Sequence, residues 1–218
     1  FLWMKNYLQL DGMTYKLVPI KTEIPKDASP LEMGGIDTDK MYANVMKWDW
    51  GNSESLSIYH DPETRKNSIT YRSYLSRLMN QLILEGKKEK AKNIITLAMN
   101  KMPLEQFGYY SLLEPFAKGY YDLGENAKAQ DLLSKLILKY KENLKYYSSL
   151  TPSDQTSLAI DIITDIERYR SLLLVMKESG DVTFYNKNKA QFNTYVSIFE
   201  RFGREKKKKK KHFLINVA

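Results

Sequence analysis

The sequence predicts a mainly α-helical fold: an α-solenoid of antiparallel helical hairpins, preceded by a small N-terminal segment with a β-hairpin. The main observation is a helical pattern that occurs twice between residues 72 and 141, with Gly124 falling on Gly86 at a shift of 38 residues. A repeat of fixed period constrains the whole fold of a chain. The composition, 43% hydrophobic and 28% charged residues, is that of a folded protein.

The first copy of the pattern has the signals of two helices joined by a glycine turn. Its apolar stripe follows the helix spacing i, i+3, i+4, i+7 and consists of Leu75, Leu78, Met79 and Leu82. Gly86 can adopt positive φ without steric cost and ends the first helix, and Pro103 ends the second. Because one hairpin cannot bury its own apolar face, we expect the next hairpin to stack on it.

These repeated positions resemble the tetratricopeptide repeat (TPR), in which large, small and aromatic residues recur at set spacings. In the first copy the matching positions are Leu78, Met79, Leu82, Gly86, Ala91, Ile95, Ala98 and Pro103. In the second copy they are Phe116, Ala117, Tyr120, Gly124, Ala129, Leu133 and Leu136, with Lys141 where proline is expected. The resemblance implies hairpins over about 61–103 and 107–141, joined by a long link near residues 106–109.

A third hairpin is predicted over residues 151–202, within a helical region that spans 61–203. Thr151 followed by Pro152 is a helix start signal. We expect one helix over residues 153–178, a break at Gly180, and a last helix over about 183–202. The inward face of the first helix is predicted to consist of Ile160, Ile163, Ile166, Tyr169, Leu172, Leu173 and Met176. This atypical hairpin is expected to cap the array.

Residues 1–60 are predicted to form a β-hairpin, a loop and a short helix that pack on the array. Asp11 and Gly12 form a turn signal between two short apolar segments, so a β-hairpin is expected there. Residues 23–36 contain proline, glycine and serine and are predicted to be a loop. The short helix should begin near Thr38, with Asp37 or Thr38 as its N-cap.

The pair Asp61 and Pro62 marks another helix start, with the aspartate as N-cap. We expect the first helix of the repeat to begin somewhat later, between Asn67 and Ser73.

The net charge of +8 is concentrated at one end of the chain. Six of the positive charges belong to the run Lys206–Lys211, so the rest of the chain is close to neutral. Lysine runs near a terminus are usually solvated and disordered. We therefore predict a basic disordered tail over residues 204–218 and no nucleic-acid partner.

Residues with catalytic or metal-binding chemistry are sparse. The chain has no cysteine, which excludes disulfides, thiolate zinc sites and a cysteine nucleophile. His60 has neither a partner nucleophile nor metal-ligand spacing, so we predict a loop or capping residue. Asp161 and Asp165 lie one helical turn apart, but no other group converges on them. We predict that this chain is not an enzyme and binds no metal and no cofactor.

A second resemblance is carried by the segments LQLDGMTYKLVP and KMYANVMKWDWGN. With the hairpins, they resemble the soluble C-terminal tail of a family of multi-spanning membrane proteins of Bacteroidetes, similar to protein O-mannosyltransferases of the C-type glycosyltransferase fold. The resemblance covers roughly residues 5–145. It implies a fragment of a longer protein, at the periplasmic face of the inner membrane, tethered through a missing N-terminal membrane region. The transferase chemistry would belong to that region, so no catalytic residue carries over.

The leading functional prediction is a non-catalytic interaction domain or scaffold. In TPR arrays the first helix of each hairpin lines a concave face, which here would present Arg77, Asn80, Glu114, Lys118 and Tyr121. The cationic and amide side chains are suited to a carboxylate or to backbone amides, and the tyrosine to stacking. The partner would be a protein or peptide, including the membrane transferase half itself. The alternative for these residues is an ordinary solvated face.

Trp48 and Trp50 admit two interpretations. Two tryptophans two residues apart in an extended segment point the same way, so both can anchor the N-terminal segment on the first hairpin. The alternative is an aromatic platform for a glycan, because an indole offers a flat apolar face and a hydrogen-bond donor. The second interpretation would make the chain a glycan-binding accessory domain.

Overall fold

The computed structural model describes residues 2–24 and 30–202 and is mainly helical, with a small three-stranded sheet near the N-terminus. The strands are β1 (Leu8–Asp11), β2 (Thr14–Leu17) and β3 (Gly35–Ile36). The α-helices are α1 (Thr38–Val45), α2 (Pro62–Leu84), α3 (Lys88–Lys101), α4 (Leu104–Phe107), α5 (Glu114–Asp122), α6 (Asn126–Ser148), α7 (Pro152–Ser157), α8 (Ala159–Glu178) and α9 (Val182–Ile198). The predicted basic tail, including Lys206–Lys211, lies outside the described residues.

The chain divides into two compact units, and the division falls between Asn126 and Ala127, at the start of α6. The first unit contains the sheet and helices α1–α5. The second contains most of α6 and helices α7–α9.

The sheet confirms the predicted β-hairpin and adds a strand. Strands β1 and β2 are antiparallel, with Leu10 opposite Tyr15, and Gly12 turns between them at a φ of 67°. The expected loop contains β3, which pairs in parallel with β1. This two-residue strand has no local signal, because its pairing depends on a contact with a distant part of the chain.

Helix α1 begins as predicted. The carboxylate of Asp37 accepts a hydrogen bond from the backbone N–H of Lys40, which is the N-cap arrangement. Met41 and Val45 are buried, whereas Met46 is 44% exposed. The helix therefore packs through one face.

Helix α2 is longer than the predicted first repeat helix. Asp61 caps it by accepting from the N–H groups of Glu63 and Thr64, and the helix runs without interruption from Pro62 to Leu84. The expected start between Asn67 and Ser73 is therefore wrong. The aspartate cap and the proline at the first position suffice to start this helix.

The three predicted glycine turns share one geometry. Gly86, Gly124 and Gly180 have φ values of 73°, 78° and 77°. After each glycine, the next N–H donates to a carbonyl five residues earlier, as Lys87 does to Leu82. This hydrogen bond across a left-handed glycine is characteristic of the Schellman motif, which closes the end of a helix. The hairpin turns follow the sequence signal.

The second unit departs from the prediction in α7 and α8. Thr151 caps α7 as expected, but the helix is interrupted at Leu158, so the single helix over 153–178 is wrong. The interruption changes which residues face inward: Ile160 is 80% exposed and Ile162 is buried. From Ile166 onward the predicted inward face holds, with Tyr169, Leu172, Leu173 and Met176 buried. Helix α6 runs to Ser148, past Lys141, where no proline ends it.

Candidate partner-binding surface

Arg77 on α2 binds the N-terminal segment of the chain. One terminal nitrogen, Nη1, donates to the carbonyls of Leu31 and Met33, each at 2.9 Å, and Nη2 donates to the carbonyl of Gly34 at 2.8 Å. Nη1 also donates to the hydroxyl of Tyr15 at 3.2 Å. The backbone carbonyls that this cation binds belong to the same chain and not to a partner.

Tyr15 and Gly34 position this contact. The ring of Tyr15 packs edge-on against Tyr74 of α2, with 5.9 Å between centroids. Burial raises the pKa of Tyr15 to about 12, so its hydroxyl is neutral and accepts from Arg77 at physiological pH. Gly34 has a φ of 78°, and a Cβ there would lie 2.7 Å from the carbonyl oxygen of Leu8. Only glycine fits this position without displacing the backbone.

The other predicted groove residues lie on α2 and α5. Asn80 is exposed on α2. Lys118 is exposed on α5 and forms an ion pair of 2.5 Å with Asp122, one turn along the same helix. Glu114 and Tyr121, also on α5, are half-buried. The predicted groove residues thus differ in their contacts: Arg77 is bound to the N-terminal segment, whereas Asn80 and Lys118 are exposed.

Gly119 sets the approach of α5 to the first hairpin. A Cβ at this position would lie 2.5 Å from Sδ of Met79 on α2 and 3.3 Å from Cδ1 of Ile95 on α3. Helix α5 therefore packs against both helices of the hairpin. At residue 119 its backbone lies so close to them that no side chain larger than that of glycine fits.

Trp48 and Trp50 form a cluster with Tyr71 of α2. The centroid of Tyr71 lies 5.4 Å from each tryptophan ring, and the two tryptophan rings are 5.7 Å apart. A Cβ on Gly12 would come within 3.1 Å of Trp48, so the β-hairpin turn packs on the same ring. Both tryptophans are half-buried. The cluster connects the N-terminal segment to α2, as the anchoring interpretation expects.

Arg72 is a residue whose role the sequence analysis missed. It is fully buried on α2, and its two terminal nitrogens donate to the carbonyls of Gly108 and Met102. Its spacing could have indicated burial, because Arg72 lies three residues before Leu75 and so falls on the same helix face as the apolar stripe. Desolvation lowers the pKa of its guanidinium to about 10, which leaves it charged at neutral pH.

His60 is a structural residue of the loop before α2. Its Nε2 lies 2.8 Å from the carbonyl oxygen of Ser53, and its ring packs on Phe107 with 4.6 Å between centroids. The loop is further fixed by Ser53 Oγ, which donates to the carbonyl of Lys101 at 2.7 Å. These contacts agree with the predicted loop role.

In the described part of the chain, no group of three or more histidine, aspartate or glutamate side chains is arranged to hold a metal ion. No helix in residues 2–24 and 30–202 combines the length and the hydropathy of a membrane span.

No family model matches this chain, and no similar protein is found among curated proteins or among solved structures.

Proposed function

We propose that this chain is a non-catalytic interaction domain whose helical hairpins stack as in a TPR array. The observation that carries the proposal is the packing at Gly119, where the first helix of the second repeat copy lies against both helices of the first copy. The three identical glycine turns support it, because regular hairpin ends are needed for regular stacking.

The proposed binding surface combines Asn80 of α2 with Lys118 and Tyr121 of α5. The exposed amide and ammonium groups can bind a carboxylate or backbone carbonyls of a peptide. The tyrosine adds a flat apolar face, and Glu114 one turn before Lys118 gives the surface both signs of charge. Protein and peptide partners fit this mixed chemistry.

Affinity capture with matched variants tests the proposal. The immobilised chain is incubated with a Bacteroidetes membrane extract, and bound proteins and glycans are identified by mass spectrometry. We expect a protein that is retained by the wild type and lost with Asn80→Ala combined with Lys118→Ala. Lys135→Ala is the control, because Lys135 forms the same type of one-turn ion pair with Asp131 on α6. Equal retention by all variants would reject this surface.

We further propose that the chain is the extracytoplasmic tail of a membrane protein similar to glycosyltransferases, located at the periplasmic face of the inner membrane. The support is the resemblance of LQLDGMTYKLVP and KMYANVMKWDWGN to that family. In this proposal the partner includes the transferase half of the same protein. Fractionation of cells with an antibody against this chain tests it, since a cytosolic signal would contradict the location.

Glycan binding is the second candidate function, and the aromatic cluster favours it. Trp48, Trp50 and Tyr71 bring three half-buried rings together, and the flat apolar face of an aromatic ring is suited to stack on the apolar face of a sugar. We expect oligosaccharides to change tryptophan fluorescence in the wild type and not in Trp50→Ala. Trp3→Ala is the control, because Trp3 is 79% exposed and not in the cluster's ring contacts. A response of equal size in Trp50→Ala would reject the platform.

A further inference from the structure

Two neighbouring segments near the N-terminus carry four large apolar side chains that are exposed. These are Trp3, Tyr7, Leu17 and Ile20, which are 79%, 37%, 59% and 65% exposed. The segments are joined through their backbones, since the N–H of Val18 donates to the carbonyl of Tyr7 at 2.8 Å and Leu8 lies opposite Leu17. Residues 3–8 and 14–21 therefore form one region of the first unit, which we call the N-terminal face.

The charged side chains of the N-terminal face are all positive. It contains three lysines, Lys5, Lys16 and Lys21, and no aspartate or glutamate. Asp11 lies between the two segments, but its side chain is only 7% exposed and is bound by Lys16 and Asn44. The first exposed acid after the face is Glu23. The face therefore combines an apolar surface with charges that attract an anionic partner.

This combination fits a lipid surface better than a protein. The cores of protein interfaces are depleted in lysine, whereas anionic lipids attract lysines close to the membrane. Tryptophan and tyrosine have an apolar ring and a polar atom, and both residues are enriched where a bilayer meets water. Lysine side chains can extend past apolar neighbours to reach phosphate groups.

The sheet limits how deeply this face can enter a bilayer. Strand β2 forms one edge of the three-stranded sheet. The N–H and C=O groups along the edge of a sheet are costly to place in hydrocarbon, where no water can bind them. A position at the level of the lipid headgroups keeps this edge hydrated and still takes the exposed apolar side chains out of water.

We propose that the N-terminal face lies on the surface of a bilayer that contains anionic lipids. Trp3 and Ile20 sit at the level of the headgroups, and Lys5 and Lys21 lie beside the phosphates. The inference goes beyond the proposed interaction function, because it assigns lipid contact to side chains outside the surface on α2 and α5. It also does not depend on the proposed cellular location.

The experiment measures binding of the full chain to vesicles made of equal parts of phosphatidylglycerol and phosphatidylcholine. All six lysines of Lys206–Lys211 are changed to glutamine throughout, because a lysine run binds anionic vesicles by charge alone. We expect this chain to sediment with the vesicles and Trp3→Ser combined with Ile20→Ser to bind about tenfold more weakly. Vesicles of phosphatidylcholine alone should bind the unsubstituted face more weakly as well.

A matched control separates this face from exposed apolar residues in general. Tyr59→Ser combined with Leu56→Ser also removes one exposed aromatic and one exposed aliphatic side chain, which are 78% and 84% exposed and lie outside the N-terminal face. This variant should bind the vesicles as well as the unsubstituted face does. Circular dichroism checks that both double variants fold.

Quenching of fluorescence by brominated lipids tests the position of Trp3 directly. The chain has three tryptophans, and Trp48 and Trp50 are half-buried in their cluster with Tyr71. We expect brominated vesicles to quench the fluorescence, and Trp3→Phe to remove most of this quenching while it preserves vesicle binding.

Three results would overturn the inference. The first is no vesicle binding by the chain with the lysine run replaced. The second is equal binding by the two double variants, and the third is quenching that persists in Trp3→Phe. A protein partner captured in the absence of vesicle binding would assign the N-terminal face to protein contact instead.

Discussion

At the scale of single residues, the most unusual feature is the buried cation of Arg72. Its Nη2 donates to the carbonyl of Met102 at 2.9 Å, and Nη1 donates to that of Gly108. These carbonyls end α3 and α4, where helix dipoles favour positive charge. Nε of Arg72 has no hydrogen-bond partner within the described residues. Arg72 therefore connects three helices through main-chain acceptors.

We predict that Arg72→Ala lowers the free energy of unfolding by about 3 kcal/mol. Two carbonyls lose their donor, each at a cost of about 1 to 3 kcal/mol when buried, and a cavity remains. Urea denaturation followed by circular dichroism measures the change. Lys66→Ala on the same helix is the control, since Lys66 forms only an exposed pair with Glu63 and should matter little. Similar midpoints for both variants would contradict the structural role of Arg72.

A second residue-scale prediction concerns Asp165 on α8. Its side chain is buried, accepts a hydrogen bond of 2.8 Å from Asn143 on α6, and lies 3.9 Å from Arg168. Burial raises the pKa of this carboxyl. The protonated Asp165 carboxyl therefore contributes its full share of stability below the pKa that it has in the unfolded chain. This contribution is lost as the pH rises through the higher pKa that it has in the folded protein.

Asp165→Asn should consequently stabilise the protein at pH 7 and have a smaller effect at pH 3. The asparagine keeps an acceptor for Asn143 and removes the buried charge. Urea midpoints at the two pH values measure the difference. Asp161→Asn, one turn earlier and exposed, is the control for the substitution itself. Destabilisation by Asp165→Asn at pH 7 would mean that the charge itself is needed.

At the scale of elements, the decisive contact is the close packing of α5 on α2 and α3. Alanine is ordinarily favoured over glycine inside a helix by about 1 kcal/mol. Gly119 is an exception, because the added Cβ would lie 2.5 Å from Sδ of Met79, which is itself fully buried. If Gly119→Ala lowers the free energy of unfolding, the cause is therefore the packing of α5 and not helix propensity.

We predict that Gly119→Ala destabilises the protein by about 1 to 3 kcal/mol, the usual cost of overpacking a core. In a Met79→Ala background the same change should cost less or become favourable, because the space is then open. A double-mutant cycle from denaturation midpoints measures this coupling. Additive effects of the two substitutions would show that α5 does not pack on Met79.

At the scale of the whole molecule, ion pairs attach α1 to the turn of the first hairpin. Asp39 on α1 pairs with Lys87 at 2.8 Å and with Lys90 at 2.6 Å. Hydrogen bonds from these lysines lower the pKa of Asp39 to about 2. The Glu85 carboxyl accepts from Thr38 at 2.5 Å, and this bond together with Lys87 lowers its pKa too. These contacts stabilise the protein above the pKa that each acid has in the unfolded chain. Their contribution is lost as the pH falls through the lower pKa that the acid has in the folded protein.

We therefore expect acid to release the N-terminal segment before the helices unfold. Between pH 5 and pH 2, as an order-of-magnitude window, the fluorescence of Trp48 and Trp50 should change at a higher pH than far-UV circular dichroism. The measurement uses a Trp3→Phe background, which removes the exposed tryptophan. Molar salt should shift the fluorescence transition to higher pH by screening the pairs. Coincident transitions would show that segment and hairpins unfold together.

Much of the fold could be predicted because its signals are local. Asp37, Asp61 and Thr151 act as helix caps where the sequence places them. The three hairpin glycines take the left-handed conformation that their position requires. The break at Leu158 was missed because nothing in its neighbourhood, neither proline nor glycine, marks a helix end. The TPR-like stacking of the whole array stays a prediction.

For the candidate site, the sequence predicted that Arg77 on the first repeat helix can bind a carboxylate or the peptide backbone of a partner, and this role toward a partner stays a prediction. Only the tertiary structure showed that the backbone of residues 31–34 of the same chain binds Arg77, and that Arg72 is buried while Lys118 is exposed. Helix caps and turns depend on neighbours within a few residues, which a sequence displays directly. Contacts such as Arg77 with Gly34 join residues that are distant in the chain, and folding alone decides which of them meet.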